Sequence, residues 1–310
     1  MPDSTPIDVR LRTIRWECDG VLRLTLEPLV GVLPAPEPGA HIDLHLPGGF
    51  VRQYSLTIGS SERRYVIGVL REPHGRGGSI ALHDGLRAGD RLRISAPRNA
   101  FALDGGEAPV WLLGGGIGIT PLLAMAEHLS GTRRSWSLTA CVRSRERLAF
   151  ADEIARLGGR VHVDDEAGLP DLHTLVAAAP ANARLYCCGP GPMLDAFIAA
   201  TVGREPDLVH LERFTPAAPE LGSGELRVEL ARSARTVIVA GNQSILDAIL
   251  AAGVDVPNSC RVGVCGTCET RVLRGEPEHH DLVLTDEERA QGRMMLCCSR
   301  ALGDTLVLDL

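Results

Sequence analysis

The stretch "LLGGGIGITPLLAM", residues 112–125, decides how the middle of this 310-residue chain is read. An apolar strand runs into a glycine-rich turn, and the turn opens a helix. In that context backbone N–H groups at a helix N-terminus can hold phosphate. Gly116 and Gly118 have the G-x-G spacing of a dinucleotide fingerprint, but Pro121 stands where its third glycine would be. No acid follows about 20 residues on to grip a ribose either, so a generic dinucleotide-binding dehydrogenase is disfavoured. The class of sheet is still indicated. "VWLLGG" and "WSLTACV" are solid apolar strands separated by helical stretches such as "TPLLAMAEHL", the pattern of a parallel sheet covered on both faces.

The texture differs on either side of this α/β segment. From residue 8 to 100, "RLTLEPL", "HIDLHL", "RYVIGVL" and "DRLRISAP" alternate apolar and polar positions between Gly and Pro, which predicts a small antiparallel barrel or sandwich. Past "FTPAAPELGSG", a Pro-, Ala-, Gly- and Ser-rich linker, alternation resumes at "ELRVEL" and "RTVIVAG". The length suits two or three domains of about 100 to 150 residues. The expected ranges are 1–104, 105–222 and 225–310.

Composition narrows the function classes. An apolar fraction of 45% and a charged fraction of 23% are those of a folded globular protein. No apolar run approaches the roughly 20 residues of a membrane span, and the first residues lack a basic stretch followed by an apolar one. A cytoplasmic protein without a membrane partner is expected. The net charge of −7 argues against nucleic acid as a partner, because phosphates demand a basic footprint. Residues 225–310 hold 13 Asp and Glu against 9 Arg, or −4, so most of the net charge lies in the last segment.

That segment also holds "SCRVGVCGTC", residues 259–268, with three of the chain's nine cysteines. In a reducing compartment clustered thiols are metal ligands more often than disulfides. The spacing Cys260-x4-Cys265-x2-Cys268 with a distant fourth cysteine is that of a plant-type [2Fe–2S] cluster. A zinc site would favour two C-x2-C knuckles, and only Cys265 and Cys268 form one. Spacing does not choose Cys297 or Cys298 as the fourth ligand.

In the first domain, "RQYSLT" (52–57) ends a strand and "GRGGS" (75–79) precedes a helix. Alone, each reads as an exposed strand end or a turn. Together they suggest a flavin site, with glycine N–H groups and a Ser hydroxyl reaching a phosphate.

These motifs, with "YCCGPGPML" (186–194), "VHLERF" (209–214) and "MLCCSR" (295–300), resemble the phthalate dioxygenase reductase family of the ferredoxin reductase superfamily. The resemblance runs through nearly all 310 residues, in the same order. It implies an antiparallel β-barrel flavin domain, an α/β parallel-sheet nucleotide domain and an α+β plant-type ferredoxin (β-grasp) domain. It further implies FMN rather than FAD, NADH, and a [2Fe–2S] cluster held by Cys260, Cys265, Cys268 and Cys297, the last aligned by "MLCCSR". Arg52, Tyr54, Ser55, Thr57, Gly78 and Ser79 would bind the flavin. Gly115, Gly116, Gly118, Thr120 and Pro121 would bind the nucleotide together with Gly189 and Pro190. Cys188 would lie beside the nicotinamide, and Phe214 over the flavin ring.

The implied activity is oxidoreduction. A hydride delivers two electrons, a Rieske-type oxygenase accepts them singly, and a flavin stands between the two. The expected acceptor is such an oxygenase, a ring-hydroxylating dioxygenase or O-demethylase, served by a monomeric reductase. Two alternatives stay open: a reductase for a cytochrome P450 or other haem partner, and a non-enzymatic redox sensor. The choice between NADH and NADPH is also open in the residues themselves, because "CVRSRER" places Arg143, Ser144 and Arg145 near the expected adenosine ribose, where arginines could pair with a 2′-phosphate.

Overall fold

The computed structural model describes residues 6–46, 51–73, 78–214, 224–258, 263, 266–281 and 283–310. They form two compact units that meet in sequence at Phe214 and Thr215.

The first unit begins with β1 (Ile7–Cys18), β2 (Val21–Pro28), β3 (His41–His45), β4 (Val51–Ser55), β5 (Tyr65–Leu70), α1 (Gly78–Gly85) and β6 (Arg91–Ile94). Its six strands pair in the order β4-β3-β6-β1-β2-β5, each pair antiparallel. Alternation in sequence becomes alternation in burial: along β6, Leu92 and Ile94 face inward while Arg91 and Arg93 face out. The inward residues, among them Leu11, Leu24, Leu26, Ile42, Leu44 and Ile67, make one core.

The chain then continues as β7 (Val110–Gly115), α2 (Ile119–Ser130), β8 (Trp136–Val142), α3 (Ala151–Arg156), β9 (Arg160–Val163), α4 (Asp164–Ala167), α5 (Leu172–Ala177), β10 (Arg184–Cys188), α6 (Gly191–Ala200) and β11 (Val209–Glu212). The sheet order is β11-β10-β7-β8-β9, all parallel. From β7 the chain winds one way through β8 and β9, then crosses back to lay β10 on the other side of β7. The resulting switch point lies between the carboxyl ends of β7 and β10, where open α/β sheets bind ligands. Pro121 falls in the first turn of α2, where a missing N–H costs no helical hydrogen bond. The barrel and this sheet are pressed together: a Cβ on Gly68 of β5 would lie 2.9 Å from Thr120 and 3.2 Å from Phe150. Arg23 of β2 also reaches across, pairing with Glu17 at 2.6 Å and with Glu153 of α3 at 2.6 Å over the Phe150 ring.

The second unit holds β12 (Leu226–Leu230), β13 (Arg235–Val239), α7 (Ile245–Ala251), β14 (Glu269–Arg274), β15 (Pro277–Glu278), α8 (Asp286–Ala290), β16 (Arg293–Met295), β17 (Arg300–Ala301) and β18 (Thr305–Leu308). Five strands pair in the order β13-β12-β18-β14-β16. β12 and β18 run parallel and the other pairs antiparallel. Ile245, Leu246, Ala248 and Ile249 of α7 pack into the core of this mixed sheet. Among the described residues, no helix is long and apolar enough to cross a membrane.

Candidate active site

Strand β4 carries Arg52, Tyr54 and Ser55, held in register by β3. Arg52 lies against the first turn of α1, where a Cβ on Gly78 would come within 2.5 Å of Arg52 Nε. Only glycine lets the guanidinium and the start of the helix share this space, a combination suited to phosphate. Ser79 Oγ accepts from the Glu72 N–H at 3.0 Å and keeps its own hydrogen for donation. Gly75, Arg76 and Gly77 lie outside the described residues. Tyr54 packs against the barrel core, and burial raises its phenol above the ordinary value. Ser55 is buried, as is Thr57, whose hydroxyl has no partner among the described residues. A buried orphan hydroxyl calls for one, and a flavin ring edge rich in N and O atoms supplies it. These residues fit a flavin.

The two glycine turns of the parallel sheet meet at the switch point. Gly116 has φ +54°, and a Cβ on Gly118 would sit inside the carbonyl of Cys188. Gly115 is closed in by Met193 and Pro190, whose atoms would be 2.5 and 2.7 Å from an added Cβ. Thr120 Oγ1 donates to the Ile117 carbonyl at 2.9 Å, fixing the turn. The motif residues Gly115, Gly116, Gly118, Thr120, Pro121, Cys188, Gly189 and Pro190 are therefore brought to one edge, next to the amino end of α2.

Cys188 is fully buried, and its thiol donates to Glu212 Oε2 at 3.8 Å. Burial drives the thiol well above its ordinary value, so it stays neutral. Burial also raises the Glu212 carboxyl from 4.5 to about 7, the thiol hydrogen bond opposing the shift. Glu212 escaped the sequence reading. Its signal was the parallel register: Cys188 and Glu212 are partners at the ends of β10 and β11. Phe214 follows two residues later and is 43% exposed, not a core aromatic.

Arg143 and Ser144 leave the carboxyl end of β8. Arg143 is exposed, its carbonyl accepting from Asp165 N at 3.0 Å. Ser144 hydrogen-bonds Glu146. Arg145 is engaged by Glu166, at 2.5 Å from Nε and 2.8 Å from Nη2. A separate cleft of about 750 Å3, bounded by Glu37, Asn99, Asp104 and Arg134, opens at the amino end of the parallel sheet and lies apart from all of these motifs.

In the second unit the Leu296 N–H donates to the Cys268 carbonyl at 3.4 Å, and Gly263 N–H donates to Cys297 Sγ at 3.2 Å. Cys268, Cys297 and Gly263 are thus drawn together, and an amide aimed at sulfur is the hydrogen bond that tunes such clusters. Cys298 is buried on another side of Gly263, and its thiol contacts Ser299 Oγ at 3.8 Å. Cys260 and Cys265 lie outside the described residues.

Residues 228–302 match the model of the 2Fe-2S iron-sulfur cluster binding domain. The chain is 49% identical to the beta subunit of phenoxybenzoate dioxygenase from Ectopseudomonas oleovorans over 98% of both chains. It is 35% identical to the solved structure of phthalate dioxygenase reductase, with a TM-score of 0.74 over 98% of both. The chain belongs to the phthalate dioxygenase reductase family. It shares that family's multidomain fold, an antiparallel sheet followed by a parallel sheet and a carboxyl-terminal ferredoxin domain. As a phthalate dioxygenase reductase relative it is an oxidoreductase using flavin, pyridine nucleotide and [2Fe–2S]. The same fold occurs in an intact type IV self-sufficient cytochrome P450 monooxygenase, which is 38% identical with a TM-score of 0.80; there the match covers 98% of this chain and 41% of the longer one.

Proposed function

We propose that this chain accepts hydride from NADH onto FMN in the barrel, residues 1–104, with the nucleotide held by residues 105–222. Electrons leave singly through a [2Fe–2S] cluster in residues 225–310 to a Rieske-type oxygenase. The observation that carries this reading is the full-length match to phthalate dioxygenase reductase, across both units. Each range encloses one of the main sheets. FMN supplies the conversion from two electrons to one, and the cluster a one-electron outlet.

The chain's own residues orient and exclude. Arg52 and the α1 amino terminus hold the flavin phosphate, and Tyr54, Ser55 and Thr57 line the ring. The turn at Gly115–Gly118 places nucleotide phosphates at the start of α2. Cys188, neutral and backed by Glu212, presents an uncharged surface to the nicotinamide. Phe214, exposed just beyond β11, would shield the flavin ring where nicotinamide is to bind. No acid or base is needed for hydride transfer, so rate depends on the stacking geometry these groups enforce. Cys260, Cys265, Cys268 and Cys297 bind the cluster.

The acidic last segment suits a basic patch on the acceptor, and exposed charges are screened beyond about 8 Å at physiological salt. Reconstitution with candidate oxygenases across a salt series tests both points: acceptor reduction should slow with salt while ferricyanide reduction does not. Flat rates with both would leave apolar contact around Val262 and Val264 as the docking mode, and failure with every oxygenase tried would remove the partner assignment. A haem acceptor is the second reading, favoured by the likeness to the self-sufficient P450. Transfer to a cytochrome P450 but to no oxygenase would establish it.

A further inference from the structure

On the reading above, two placements determine where the adenosine half of the nucleotide lies. Its phosphates belong at the amino end of α2, which follows β7. Its nicotinamide belongs at Cys188, at the end of β10 on one side of β7. The adenosine must therefore extend the other way, over the carboxyl ends of β8 and β9. Two short segments occupy those ends. Residues 143–147 follow β8, with Arg145–Arg147 in a turn of 3-10 helix, and Asp164–Ala167 follow β9 as α4.

The two segments are tied together. The Asp165 N–H donates to the Arg143 carbonyl at 3.0 Å, and the Glu166 carboxylate grips the Arg145 guanidinium through both oxygens, at 2.5 and 2.8 Å. The Asp19 N–H of the barrel donates to the Glu146 carbonyl at 2.9 Å, fixing the first segment from behind. Arg145 and Glu166 are 66% and 50% exposed, so the pair contributes little to stability. Its consequence is chemical. A bidentate carboxylate occupies the fork that would otherwise take a phosphate, and Asp164 and Asp165 add negative charge beside it.

We propose that Glu166 sets the preference for the unphosphorylated nucleotide by holding Arg145 away from the adenosine ribose and presenting a carboxylate there. A ribose 2′-hydroxyl donates to a carboxylate, whereas a 2′-phosphate meets like charge and a guanidinium already satisfied. This inference rests on the NADH reading above.

The test compares NADH and NADPH by steady-state kcat/KM with ferricyanide as acceptor, in the holoenzyme and in Glu166→Gln, Arg145→Gln and the double variant. Bound flavin and cluster absorbance check folding. Glu166→Gln should raise kcat/KM for NADPH at least tenfold, mainly through KM, and the double variant should lose that gain because the freed guanidinium is gone. Arg145→Gln alone should leave NADPH poor. If the unmodified enzyme prefers NADPH, the NADH reading itself is wrong. If it prefers NADH but Glu166→Gln leaves the NADPH value within twofold, or the double variant keeps the gain, the gate is overturned.

Discussion

Glu212 gives the sharpest quantitative expectation. Its carboxyl is partly buried at the end of β11 beside the Cys188 thiol, and burial raises it from 4.5 to about 7. That difference corresponds to about 3 kcal/mol against the charged form in the folded state. Below pH 4.5 the group is neutral in folded and unfolded chains alike and costs nothing. As pH rises from 4.5 to 7 the unfolded chain ionises first, so folded stability falls, and above about 7 the full cost is present. Glu212→Gln keeps an oxygen to accept from the thiol and removes the charge. It should stabilise the first unit by about 1 kcal/mol at pH 5 and about 3 kcal/mol at pH 8. At the size of this unit the larger value raises Tm by roughly 6 to 12 °C. Differential scanning calorimetry at the two pH values reads this directly, with flavin release marking the transition of the first unit. An equal Tm difference at both values, or a wild type that is the more stable at pH 8, would refute the buried-carboxylate argument.

Other expectations concern the cofactors. Cys297→Ser should damage or lose the cluster, whereas Cys298→Ser should retain a near-native paramagnetic resonance signal after reduction; the reverse pattern would make Cys298 the ligand. Gly263→Ala should lower iron content without unfolding the first unit, because an added Cβ would lie 2.5 Å from Cys298 Sγ at a φ of +77°. Full iron occupancy in that variant would show that the loop yields more easily than its packing suggests. Heat or acid should release FMN, and chromatography showing FAD instead would place the protein in a neighbouring subfamily.

Much of this architecture could be read before folding because its signals are local. The departure of "GGGIGITP" from the usual dinucleotide fingerprint, Pro121 in place of a third glycine, separated this sheet from a generic one, whereas the reason for the retained Gly118 is packing: it must clear the Cys188 carbonyl of a second turn 70 residues away. Alternation along β6 and the apolar run of β7 identified the two sheet types directly. What stayed hidden depended on pairing across the chain. Glu212 looks like an ordinary strand residue until β11 is set beside β10. Arg145 looks like a phosphate ligand until α4 delivers Glu166 to it. That the Thr57 hydroxyl lacks a partner among the described residues emerges only from three-dimensional burial.

The central claim is that one chain joins a hydride acceptor to a one-electron outlet. An anaerobic titration of the purified protein with NADH, followed by visible and paramagnetic resonance spectra, tests it most directly. The account predicts bleaching of both flavin and cluster bands with about three electrons taken up per chain, two by the flavin and one by the cluster. Uptake of only two electrons, with no cluster signal in iron-replete protein, would contradict it.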